Sequence, residues 1–191
     1  MEAFEKLIGG LLEHEGYWVR YGFKVELTKY EKQSIKRPTS PRWEIDILAY
    51  KPAANELLVV ECKSYFDSSG VSYSAVSSLK HGRPNRYKLF NDRHLRSVVF
   101  KRLKEQLEGA GLYKKTPSIV LCLAAGRIVE GVKGKDHKRL QTFLESKRWR
   151  LFDSKWVCSA LKKVSLSGYE DDVAVVVAKL LFRQKIDKLP L

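Results

Sequence analysis

The chain has 191 residues, 44% hydrophobic and 30% charged, a balance that suits one packed domain and excludes a wholly disordered polypeptide. Its 36 Lys and Arg residues against 22 Asp and Glu leave a formal net charge of +14, which favours polyanionic partners, nucleic acid first among them, with an anionic membrane surface or an acidic protein as the competitor. The longest apolar runs, residues 57–60, 119–125 and 173–178, are too short to cross a bilayer, so no membrane partner is expected.

In chain order, Phe4, Leu7, Ile8, Leu11 and Leu12 recur at helical spacing over residues 3–15, with Gly16 as the C-terminal stop. Residues 17–27, rich in aromatic and β-branched side chains, predict a strand. Residues 28–41, basic and punctuated by proline, predict a loop that serves as a flexible flap. Residues 42–50 and 57–64 predict a hairpin turning through 51–56. A serine-rich stretch and a basic segment then lead to a helix over 92–109 and an apolar strand over 118–125. The tail predicts a helix over 135–147, a short strand over 149–152, and helices over 154–163 and 170–184. The expected class is α/β: a mixed sheet flanked by helices, in a single domain over 1–191 with a core over 1–125 and an extension over 126–191.

Two strand segments carry charge where apolar surroundings make it costly: Glu44-Ile45-Asp46-Ile47-Leu48 and Val59-Val60-Glu61-Cys62-Lys63. In a strand, Glu61 and Lys63 share one face while Cys62 points the other way. If residues 52–55 form a symmetric hairpin loop, Lys51 pairs with Glu56 and Asp46 falls directly opposite Glu61, with backbones about 5 Å apart. Carboxylates that close repel unless a cation lies between them. Magnesium suits two carboxylates and a strand carbonyl, with water and phosphate completing its shell. Such a metal with a lysine beside it fits phosphodiester hydrolysis. Glu5, at the rim of the apolar stripe of the first helix, is the further acid expected near the metal.

Helical Glu5, strand Asp46 and the Glu61-x-Lys63 pair together resemble the PD-(D/E)xK, restriction-endonuclease-like nuclease superfamily over residues 2–64. The segment from Phe4 to Tyr17 and the Glu-Ile-Asp-Ile-Leu strand look most like Mrr-type restriction enzymes and archaeal-type Holliday-junction resolvases. The resemblance implies an αβββαβ core. It implies Asp46, Glu61 and the Cys62 carbonyl as metal ligands, Lys63 as the catalytic lysine and Glu5 as an accessory acid, with Mg²⁺ as cofactor and Mn²⁺ as substitute. No proline directly precedes Asp46, as in many members of the superfamily. Gln106 is the counterpart of a helical glutamine that some relatives use, and the tyrosine that follows it there is displaced here to Tyr113.

Between the motif and the last core strand, Lys80, Arg83, Arg86, Lys88, Arg93 and Arg96, with Tyr87 and Phe90 interleaved, predict a surface that tracks phosphates. Cys62, Cys122 and Cys158 read as reduced cysteines, and the four histidines lack zinc-ligand spacing. Gly126 and Gly131 have P-loop separation without the lysine, and Trp43, Trp149 and Trp156 read as packing residues. Acidic Glu2 and Glu5 at the N-terminus argue for a cytoplasmic location. The function expected is a Mg²⁺-dependent DNA endonuclease, acting as a homodimer or within a larger nuclease complex. The rivals are a non-catalytic nucleic-acid-binding module and a subunit of a defence, repair or transposition assembly.

Overall fold

The computed structural model describes residues 2–39, 42–78, 86–113, 115–131 and 135–183. Helix α1, Ala3–His14, is followed by β1, Trp18–Val25; α2, Lys29–Ser34; β2, Trp43–Lys51; and β3, Glu56–Lys63. Then come α3, Tyr73–Ser77; α4, Lys88–Asn91; α5, Arg93–Gly109; β4, Ser118–Ala125; α6, Lys135–Ser146; β5, Arg150–Phe152; α7, Ser154–Val164; and α8, Val173–Arg183. The strands form one mixed sheet in the order β1-β2-β3-β4-β5, antiparallel across β1-β2-β3 and parallel across β3-β4-β5. This is the expected α/β class, with helices on both faces. Among the described residues no helix is long and apolar enough to cross a membrane.

Most element ends follow from caps visible in the sequence. Gly16, at φ +86, turns α1 out into β1: its N–H donates to Glu13 O and that of Tyr17 to Leu12 O, the paired bonds of a Schellman ending. Asp92 caps α5 by accepting from Leu95 N. The last helix starts at Val173 rather than at residue 170 because Asp172 takes the capping position, accepting from Val175 N. The expected flap is tied down instead. Thr28 and Glu31 form a reciprocal capping box that starts α2, and Arg102 of α5 donates to Glu31 at 3.0 Å.

Two cores lie on the two faces of the sheet. On one, Val59, Leu121 and Leu123 pack with Val99 and Leu103 of α5 and with Leu140 and Leu144 of α6. On the other, Ile47, Leu58, Val60 and Cys62 pack with Ile8 and Leu12 of α1 and with Val157 of α7.

The alternation of β1 and β2 resets at one level. Val19 and Tyr21 face the α1 side, whereas Phe23 and Val25 face α5; Ile47 and Ala49 face α1, whereas Ile45 faces α5. The step falls at Gly22, whose φ of +57 only glycine takes without strain, and at Asp46 across from it. The β1–β2 register is unchanged on either side. The sheet therefore twists sharply where Asp46 stands.

At the end of the sheet away from Asp46, Arg150 grips Glu56 through two bonds of 2.9 and 2.6 Å, and the Tyr17 hydroxyl donates to Glu56 Oε1 at 2.6 Å. Burial raises the Glu56 pKa, but the Tyr17 and Arg150 hydrogen bonds outweigh it and hold the carboxyl below its ordinary value. A carboxylate with a depressed folded pKa stabilises the fold fully above its unfolded pKa, and that contribution is lost as pH falls through the folded value. Arg150 is 41% exposed in its side chain, so solvent screens the pair. Glu56→Gln is expected to cost about 1–2 kcal/mol near neutral pH and less in acid, as read by urea denaturation at both. An equal loss at the two pH values would show that the charge of Glu56 is not what stabilises.

Candidate active site

The hairpin register places the acids where the sequence suggests, with one correction. Lys51 pairs with Glu56, and the ladder runs on to Ile47 opposite Val60. Asp46 and Glu61 do not continue it as a directly opposed pair. At the Gly22 twist the Asp46 carboxylate itself accepts from Cys62 N at 2.7 Å, standing in for a ladder carbonyl. That bond fixes Asp46 against β3.

Glu61 and Lys63 share a face, and Cys62 points into the α1 core. The ammonium of Lys63 lies 2.6 Å from Glu61 Oε1, 2.9 Å from the Cys62 carbonyl oxygen and 4.0 Å from Asp46 Oδ2. These are the three oxygen donors that the sequence singles out, and they converge on one cation. The three side chains are only 17–22% exposed.

Glu5 stands nearby without joining this contact. Its carboxylate accepts from Glu2 N at 3.2 Å in the first turn of α1. It is felt electrostatically: burial and then, opposing the Glu2 bond, the Asp46 charge raise its pKa, and Glu5 in turn raises that of Glu61. Burial raises the pKa of Asp46 too, against the Cys62 N–H and Lys63. It raises that of Glu61 against Lys63. Burial works against the Lys63 ammonium, yet Glu61 keeps its pKa above the ordinary value. Asp46 and Glu61 thus share one ammonium, and these two and Glu5 remain harder to ionise than in water. The cluster carries room for further positive charge.

Among the described residues no group of three or more His, Cys, Asp or Glu side chains is disposed to hold a metal ion. The donors that converge here are two carboxylates and a main-chain carbonyl, all hard oxygens, and they fit a magnesium-like ion that keeps water and phosphate in its other positions.

No family model matches the chain, and no curated protein matches it. The chain is similar to the crystal structure of a protein of unknown function, AF1548, at 11% identity and a TM-score of 0.43, over 96% of this chain and 78% of that one.

The surroundings add residues that the sequence does not single out. Tyr65, at φ +47 just past β3, accepts from Arg86 Nη1 at 3.0 Å and adds to the field on Lys63. Beyond β4, the Gly126 N–H donates to the Lys63 carbonyl at 3.0 Å, and Val71 bonds Arg127 and Val129, lacing the two strand ends together. A groove of about 710 Å³ between α3 and α6 is lined by Lys135, Lys138 and Arg139 with Tyr73 and Phe143. Its cations cluster in the sequence 135–139, a signal hidden by the helix that also carries core leucines.

The expected phosphate-tracking residues divide. Lys80 and Arg83 lie outside the described residues. Arg86 and Arg93 are exposed, and Lys88 is half-buried on α4. Arg96 is committed elsewhere: it donates to Leu89 O and Phe90 O and stacks at 4.8 Å on Trp149, so packing occupies its guanidinium. Gln106 likewise clamps α5 to β1 through Glu26 N and Lys24 O rather than approaching the acids.

Proposed function

We propose that the chain is a Mg²⁺-dependent nuclease of the PD-(D/E)xK, restriction-endonuclease-like kind, hydrolysing phosphodiester bonds in DNA. The observation that carries this reading is the convergence of Asp46, Glu61 and the Cys62 carbonyl on the Lys63 ammonium. Asp46, Glu61 and the Cys62 carbonyl would hold the metal, with Mn²⁺ as a substitute and Glu5 as the outlying acid. Bound there, a divalent cation supplies Lewis-acid polarisation of a phosphate oxygen.

The protein's own groups supply the rest. The Cys62 N–H keeps one Asp46 oxygen fixed, so the carboxylate meets its ligand without reorganising. Lys63 Nζ, held beside the carboxylates, would donate hydrogen bonds to the charge that develops on the phosphate. Exposed Arg86 and Arg93, with the α6 cations Lys135, Lys138 and Arg139, offer the substrate backbone a positive surface, which gives affinity without sequence preference.

The 2.6 Å Lys63–Glu61 pair also suits a second reading, a non-catalytic nucleic-acid-binding module in which the lysine only neutralises its neighbours. Metal binding separates the two. Protons compete with metal for the same oxygens. Carboxyls with raised folded pKa values favour the fold fully below their unfolded pKa, and that contribution is lost as pH rises through the folded value. Metal has most to offer above it. Mg²⁺ held at one concentration, tenfold over its Kd at pH 8, is expected to raise Tm by about 3–6 °C at that pH and by less near pH 5, where protons compete better for the same oxygens. Asp46→Asn removes the effect. Equal shifts in parent and variant, or no shift at either pH, would favour the binding module.

A further inference from the structure

Helix α8 buries one face and leaves another bare. Val175 and Ala178 enter the α1-side core with Phe182 packed beside them. Val173, Val176, Val177, Leu180 and Leu181 remain 38–80% exposed. Those five positions recur at spacings of three and four, which places them in one stripe along the helix. Exposed Leu166 lies near the C-terminal end of α8, because Arg183 donates to Ser165 O at 2.6 Å and Ser167 O at 2.9 Å on either side of it. Lone exposed aliphatic residues are ordinary, but a contiguous stripe marks an interaction surface.

The charges at the two ends of α8 favour a second copy as its partner, although Glu170 also pairs with His14 and Lys179 and Arg183 also donate to the carbonyls of Ser165, Ser167 and Gly168. Glu170, Asp171 and Asp172 precede the helix, while Lys179 and Arg183 lie in its last turns. Two copies of α8 laid antiparallel set each acidic end against a basic end and oppose the two helix dipoles favourably. A parallel pair would set like charges together. Centred on Val177, the antiparallel arrangement matches Val173 with Leu181 and Asp171 with Arg183, since each pair stands equally far from Val177 in opposite directions. One surface that complements itself in this way meets the requirement of a twofold interface.

We propose that α8 is a homodimerisation helix, pairing antiparallel with α8 of a second copy about a twofold axis near Val177. The proposal is independent of the nuclease reading.

Sedimentation of the full chain tests it. At about 100 µM the parent should run at twice the 22.0 kDa chain mass. Val177→Glu places two carboxylates face to face at the axis, and Leu180→Glu buries one on each side. Either should weaken the dimer at least about 100-fold. Both sites are exposed, so far-UV circular dichroism should match the parent. Asp171→Lys, outside the apolar stripe, should weaken it about 5-fold in low salt and less in high salt. A parent that is monomeric at this concentration would overturn the proposal, as would a dimer that survives both glutamate substitutions. Retained DNA binding or cleavage by a monomeric variant would leave it standing.

Discussion

Lys63→Ala is expected to lower phosphodiester cleavage by about 10³-fold while leaving Mg²⁺ binding at least as tight as in the parent. The first effect follows from removing a proton donor aimed at developing negative charge in a site whose side chains are about one-fifth exposed. The second follows from charge. The ammonium occupies the point on which Glu61 Oε1 and the Cys62 carbonyl converge, at 2.6 and 2.9 Å. Its removal leaves those oxygens open and takes one positive charge away from an incoming cation. Single-turnover cleavage and calorimetric Mg²⁺ titration read the two effects separately. A variant that loses metal binding and cleavage together would give Lys63 a structural role in place of a catalytic one.

Gly126→Ala is expected to cost about 2–4 kcal/mol and to depress cleavage as well. A Cβ at this position would lie 2.4 Å from the Ser64 carbonyl oxygen and 2.7 Å from Phe66 Cζ. The backbone oxygen cannot swing aside as a side-chain tip can. The 63–66 segment must therefore move, and it carries Lys63, Tyr65 and Phe66, whose ring meets Phe4 of α1 edge-on at 5.6 Å. The disturbance reaches both sides of the site. Gly10→Ala in α1 is the matched control: its Cβ meets nothing within 4 Å, and a helical interior favours alanine over glycine by about 0.5–1 kcal/mol. Urea midpoints and cleavage rates of the two variants check the contrast. A Gly126→Ala protein as stable and active as the control would remove Gly126 from the account.

The order of elements was legible because periodicity and caps agree along most of the chain. The strand over 118–125 and the helix over 92–109 emerge as read, the helix beginning at Arg93 with Asp92 as its cap, and the hairpin register follows from the symmetric turn at Pro52 to Asn55. Helix α2 was missed although Thr28-x-x-Glu31 is a capping-box pattern, because the prolines and basic residues around it spoke for a loop. Short α3 and α4 bury few residues of their own, so no periodicity marks them.

The site was legible to the level of which residues meet, less so in how they meet. Alternation alone put Glu61 and Lys63 on one face. It could not show the twist at Gly22, which depends on a single positive φ and turns Asp46 onto a backbone N–H rather than opposite Glu61. Arg96 illustrates a second limit: its charge suggests phosphate, but two carbonyls at the end of α4 and the Trp149 ring take it up. Gly126 shows a third, since a position dictated by space rather than by φ leaves no local mark in the sequence.

The most direct measurement incubates the purified protein with labelled duplex, branched and single-stranded DNA in Mg²⁺, Mn²⁺ or EDTA, beside the Lys63→Ala variant. Cutting of at least one substrate with either metal, none in EDTA, and a loss of about 10³-fold in the variant are expected. Cutting that persists in EDTA or is undiminished in Lys63→Ala would contradict the nuclease reading, as would binding of every substrate with no cleavage under either metal.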